Sequence, residues 1–189
     1  MNNKLAVDLA HSYLLLNHGP VTLITSAYNN QVDVMAASWA MPLDFNPAKV
    51  IVIMDKNTFT RELVDASGEF GLQIPMRKIA AETVAVGSHS GRDLDKLSKY
   101  NIETFAAQKI AAPMIEHCAA WLECKVIPDA SDRFDIIIAD VLAAYSNPDV
   151  YSENRWHFGE NPMNRTIHYV AGGHFFTTGE SFKVDDKVA

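Results

Sequence analysis

Short apolar segments rich in β-branched residues recur along this chain, and each is closed by a turn signal. No helical pattern between them reaches the 10–15 residues that a parallel sheet would require at every crossover. Residues 21–27 and 32–40 read as two strands joined by a turn at Asn29-Asn30, a plausible hairpin. Residues 50–54 form a continuous apolar run, expected of a strand buried on both faces. Further strands are expected over 70–74, 116–128, 134–145 and, at the end, 168–176. Pro42 and Pro47 are read as bracketing a loop.

Between the strands lie only short helical patterns. Leu5, Leu9, Tyr13 and Leu16 place an amphipathic helix over 2–16, ended by Asn17-His18-Gly19-Pro20. Residues 61–66, with Gly68 as C′ residue, 79–86 and 93–99 are the others. Residues 146–164 are polar around Trp156 and Phe158, which suggests an exposed excursion or a partner-binding arm. The charged end from Lys183 onward is expected to fray. The fold class is therefore mainly β with inserted short helices, best met by a small antiparallel barrel. The 189 residues suit a single domain spanning 1–189.

Charge and cysteine usage bound the function. A formal net charge of −7 opposes nonspecific nucleic-acid binding. Two cysteines, Cys118 and Cys124, make no disulfide framework. Asp8 and His11 interrupt any leader-like run, and no stretch approaches a membrane span, so a cytoplasmic location is expected.

Chemistry concentrates between residues 36 and 61. An apolar strand runs into a polar turn carrying Lys56, Asn57, Thr58, Thr60 and Arg61, then into a helix start. Unpaired N–H groups at a helix N-terminus, two hydroxyls and two cations suit a phosphate. On the turn alone a plainer reading is favoured, with Thr58 or Thr60 a simple N-cap and the cations solvated. Neither GxxxxGK[ST] nor GxGxxG occurs. The seven histidines show no HExxH, and the cysteines no C-x2-C, so no metal is expected. His117 beside Cys118 would point to opposite faces of a strand, which argues against a Cys-His pair. His168 and His174 would share a face if one strand ran through them, but Gly172-Gly173 can interrupt it, and a structural role is favoured.

Four motifs in order carry a family resemblance. Ala36-Ala37-Ser38-Trp39 with Pro42, then a hydrophobic strand, then Lys56 and Thr58, resembles the flavin reductase-like, FMN-binding split-barrel family, nearest its flavoredoxin-like branch. Residues 68–75 resemble that family's G-E-F-x-(V/L)-N-x-P strand, residues 90–96 its S-G-R-x-x-D-K-F loop, and residues 168–175 its terminal strand. Each motif alone is unspecific; their order over residues 18–178 is not. The chain departs from the pattern at Gln73, at Leu97, and at Asp33-Val34 where the family carries asparagine, which touches cofactor contacts more than fold.

The resemblance implies a Greek-key split barrel and a homodimer with FMN near the interface. It places Ala37, Ser38, Trp39, Ala40 and Met41 along the isoalloxazine, and Lys56, Thr58, Thr60 and Arg61 on the phosphate, with Ser90, Gly91 and Arg92 approaching from a nearby loop. The implied activity is an NAD(P)H-dependent flavin reductase, with NADH or NADPH as donor. The alternatives are an FMN electron carrier reduced by a partner protein, or a non-redox ligand-binding barrel. The cofactor carries such chemistry, so no acid–base constellation is required of the protein.

Overall fold

The computed structural model describes residues 19–128 and 134–184. The helix expected over 2–16 and the last five residues of the charged end lie outside them. Strand β1 (Thr22–Tyr28) and strand β2 (Gln31–Ala37) form the expected hairpin, registered from Thr22 opposite Ala37 to Tyr28 opposite Gln31. Asn29 and Asn30 have φ of 48° and 62°, the left-handed pair that a two-residue hairpin turn needs.

The chain then re-enters the sheet where a loop was expected. Strand β3 (Ala40–Phe45) contains Pro42 and pairs with β4 (Ala48–Ile53). Pro42 is tolerated because β3 is the outermost strand, and the register shifts between Pro42 and Asp44. In the run 50–54, Val50, Val52 and Met54 are buried while Ile51 and Ile53 are half-buried. That strand therefore has one core face, not two.

Helix α1 (Phe59–Ser67) ends at Gly68 with φ 73°, as expected of a C′ glycine. Strand β5 (Glu69–Pro75) leads through a 3-10 turn at Arg77–Ile79 into α2 (Ala80–Ser88). Helix α3 (Lys96–Lys99) is shorter than the expected 93–99, because the Asp95 side chain caps it by accepting from Ser98 N at 3.1 Å. A small pair, β6 (Thr104–Phe105) and β7 (Met114–Ile115), precedes the long strands β8 (Cys118–Val126) and β9 (Ile136–Ser146).

The polar segment after β9 is organised by aromatics. Strands β10 (Tyr151–Ser152) and β11 (Arg155–Trp156) make a hairpin in which Trp156 packs edge-on to Tyr151 and stacks on Phe158 with centroids 5.5 Å apart. Val150 is fully buried beside Met76 and Ala119, so the excursion is anchored to its own chain. The terminal strand is really a second hairpin, β12 (Ile167–Ala171) and β13 (His174–Thr177). Gly172 and Gly173, at φ 57° and 80°, make its turn, so His168 and His174 lie on different strands.

Seven antiparallel strands order as β2-β1-β5-β8-β9-β4-β3. The two outermost, β2 and β3, are consecutive in the chain, joined only by Ser38 and Trp39. Three Cα steps reach at most about 11 Å. The sheet must curl until its edges nearly meet, which makes a barrel with a seam at Ser38-Trp39. Ile24, Val52, Met54, Phe70, Leu72 and Ile137 fill the interior. A second layer, Leu23 and Val34 against Ile79 and Val86, fixes α2 to the outside.

Buried polar groups hold the outer loop. Gln73 is fully buried, accepting from Ile115 N at 2.5 Å and donating to Thr25 Oγ1 at 3.1 Å. Its departure from the family's asparagine thus serves the loop before β8 rather than a cofactor. Glu123, also buried, accepts from the backbone N–H groups of Gln108 and Lys109. Among the described residues no helix is long and apolar enough to cross a membrane.

Candidate functional site

A trough runs beside the seam, and its two parts differ in chemistry. The first is a cavity of about 270 Å³. Ala37 and Ser38 from the end of β2, Thr83 and Val84 from α2, and Tyr169 and Phe175 from the terminal hairpin line it. Tyr169 and Phe175 meet edge to face with centroids 5.3 Å apart, giving an aromatic wall. The second cavity, about 290 Å³, is polar, lined by the start of α1 and the loop after α2. Ala36, Gly87 and Ser88 line both. Gly87 suits that shared wall, since a Cβ there would stand 3.1 Å from the Ala36 Cβ.

In the polar part, Thr58 is the N-cap of α1, accepting from Arg61 N at 3.3 Å, and its own hydroxyl proton goes to Asp55 O at 2.8 Å. Thr60 donates to Asp33 Oδ2 at 2.6 Å. Asp33 and Lys96 form an ion pair at 3.0 Å with both side chains almost wholly buried, and Lys96 also donates to Val34 O and Val86 O. This pair pins β2, α2 and α3 together beneath the cavity. Gly91 lies against it, because a Cβ there would fall 2.2 Å from Asp33 Oδ1. No residue with a side chain fits position 91 without moving a buried carboxylate.

Arg92 crosses from the loop to α1. It pairs with Glu62, donates to Asn57 O at 3.0 Å, and lies 5.7 Å from the Phe59 ring centre. Ser90 Oγ accepts from Arg92 N at 3.2 Å, which tightens the loop. The Asp95 cap bonds from Ser98 hold its carboxyl below the usual carboxylate range.

The trough gathers Ala37, Ser38, Thr58, Thr60, Ser90, Gly91 and Arg92 from the residues named on sequence grounds. It does not gather Trp39, Ala40, Met41, Lys56 or Arg61, none of which lines these two cavities. Arg61 is 6% exposed and committed elsewhere, to Asp65 at 2.7 Å and to Met54 O at 2.8 Å. Its position three residues past the cap turns it toward the β4 end instead of the turn's open side. Trp39, half-exposed, accepts from Ile53 N through its carbonyl, and Met41 lies exposed on the edge strand. Lys56 sits on an exposed turn, with its backbone N–H on Asp135.

Sequence reasoning missed Asp33, Lys96, Gly87, Tyr169 and Phe175 as site residues. Asp33 carried a faint signal as a charge amid apolar neighbours, and Lys96, set among other charges, carried only its place in the 90–96 motif. Burial raises both thiols, Cys124 to about 12 and Cys118 further still, which leaves neither a nucleophile. Among the described residues no group of ligating side chains is arranged for a metal.

The comparisons with known proteins bear on family and fold. A profile described as "Flavin reductase like domain" matches residues 15–169. The Escherichia coli K12 protein YddH is 38% identical over 185 residues, covering 95% of this chain and 97% of its own. The FMN-binding domain of a flavin reductase-like enzyme from Shewanella baltica superposes with a TM-score of 0.85 at 40% identity, covering 96% of this chain and 97% of that one. Flavoredoxin from Methanosarcina acetivorans shares the fold, with a TM-score of 0.82 at 22% identity over 98% and 97% of the two chains. A barrel closed at a two-residue seam, with a trough beside it lined by aromatic residues at one end and polar residues at the other, thus stands in a chain that belongs to the flavin reductase-like family.

Proposed function

We propose that the trough holds FMN and that the protein is an NAD(P)H-dependent flavin reductase, reducing FMN and passing electrons to an acceptor. The bipolar trough carries this reading. Each cavity alone is small for a cofactor, but joined they reach the about 300–1,000 Å³ of typical ligand sites. The aromatic end suits a flat ring, and the polar end suits a phosphate. The Shewanella relative is itself FMN-binding. Bound FMN would supply the hydride and electron chemistry.

The chain's own residues bind and orient. Arg92 offers a charge-assisted bond to the phosphate and exchanges Glu62 for it. Ser90 and the first N–H groups of α1 complete the cradle. The backbone from Ala36 to Ser38 meets the polar edge of the ring, and Tyr169 and Phe175 shield it from water. Lys56 and Arg61 have no part in this cradle; Thr58 and Thr60 shape it as cap and anchor.

The unit is proposed to be a homodimer of single-domain subunits. Met41, Leu43 and Phe45 on β3 are 62%, 47% and 93% exposed, an apolar edge strand unsuited to water. Trp39, Ala40 and Met41 are assigned to that interface, bordering the trough. Light scattering at micromolar concentration should give the dimer mass, and a monomer that still binds FMN would refute the arrangement.

Anaerobic mixing with NADH and with NADPH tests the activity. Bleaching of the flavin band within seconds supports a reductase. Stable flavin absorbance with both donors, but bleaching by a reduced partner protein, would move the reading to an electron carrier.

A further inference from the structure

His89 lines the polar cavity, and its ring is held in a particular way. It is the C-cap of α2, with extended backbone at φ −130° and ψ 149°, so the helix stops there. The ring folds back on the helix end: Nδ1 lies 3.0 Å from Ala85 O, one of the last carbonyls of α2. A carbonyl only accepts, so Nδ1 carries the proton there. The Tyr100 hydroxyl oxygen stands 2.9 Å from the same nitrogen and, with Nδ1 protonated, accepts from the same N–H. Nε2 is the nitrogen left for a ligand.

This tautomer has a consequence. Neutral His89 offers a lone pair at Nε2, which repels an anion. Protonated His89 offers an N–H there. Resting on the reading that the trough holds FMN, we propose that His89 is a proton-linked ligand for the phosphate monoester, so that binding FMN takes up a proton. The charged groups facing the cavity are Arg92 with Glu62, and Lys96 with Asp33. Both cations already have carboxylate partners, so a protonated His89 supplies positive charge that no neighbouring carboxylate claims. The sign follows: an anion favours imidazolium, so the share of FMN affinity that this contact supplies rises as pH falls.

Calorimetric titration with FMN at pH 7, in buffers of different ionisation enthalpy, tests this. Wild-type protein should show net proton uptake on binding FMN and none with riboflavin. His89→Gln should lose the uptake and, His89 being exposed, about threefold to tenfold of the preference for FMN over riboflavin at pH 6. The phosphate's own second ionisation, near 6, remains in the variant and serves as baseline. Preference for FMN without proton uptake in the wild type, or equal uptake in His89→Gln, overturns the role of His89 and leaves the FMN reading intact. Equal affinity for FMN and riboflavin would sink both. The wild-type measurement alone is decisive if the variant folds poorly, and His89→Asn gives a second one.

Discussion

Arg61 and Arg92 both attach to helix α1, yet they use their charge differently. Arg61 is buried, and two of its donors are fixed on Asp65 and Met54 O. Arg92 is 42% exposed at the side chain, lines the cavity, and pairs with a half-exposed Glu62. A buried guanidinium leaving its acceptors exposes an unsatisfied carbonyl; an exposed one exchanges partners at little cost. The first is built as a structural tie and the second as a cavity-facing group. Cations equal in sequence become unequal through the partners that burial imposes.

The largest effect should come from the most deeply buried charge. Asp33→Ala leaves Lys96 charged and unpaired, which costs about 3–5 kcal/mol. Melting followed by circular dichroism should drop by roughly 10 °C in a chain of this size. A loss under about 1 kcal/mol would mean that the pair opens to water and that burial does not divide the cations after all.

Arg61→Ala comes next, at about 2–3 kcal/mol, mostly from the stranded Met54 carbonyl. FMN affinity, corrected for folded fraction, should stay unchanged. If affinity falls instead, the sequence-based placement of Arg61 on the phosphate is reinstated. Arg92→Ala should behave in reverse, with melting moving by no more than about 2 °C and FMN binding weakening about tenfold while riboflavin binding holds. Fluorescence quenching of the two flavins reads this directly.

The smallest effect sharpens the loop side. The folded-state pKa of Asp95 is lowered, so its contribution is present above the unfolded value near 3.8 and disappears as pH falls through the lower folded value. Asp95→Ala should cost about 0.5–1 kcal/mol at pH 6 through the lost cap, and its melting curve should converge with that of the wild type toward pH 2. A gap that persists at pH 2 would assign the loss to packing instead.

Strands with strong local character were legible. The Asn29-Asn30 hairpin, β5, β8, β9 and the Gly68 stop followed from turn chemistry and β-branched runs. β3 was hidden because proline normally breaks a strand, and only its edge position permits Pro42. Gly172-Gly173 reads in sequence as an interruption of one strand, and the left-handed φ of both glycines makes it the turn of a hairpin. The site was half legible. Residues adjacent in sequence, such as 90–92, could be grouped by motif. Asp33, Lys96 and the Tyr169–Phe175 hairpin come from three distant segments that only the folded barrel brings together. The direction of Arg61 could not be read either, since it depends on where the β4 end lies.

The pairing of β4 with β9 has a cost in time. Lys49 meets Asp140, and Ile53 meets Ile136, so the inner edge of the β3–β4 hairpin has no neighbour until about 80 more residues exist. At about 5–20 residues per second, a ribosome needs several seconds or more to supply β9. Through that interval Val50 and Val52 stand on an open, apolar strand edge. The nascent chain is then most prone to pair with another copy of itself, and high contact order slows the later search as well. Slowed translation between residues 54 and 136, or loss of the chaperones that cover such edges, should lower soluble yield more than an equal delay after Ser146.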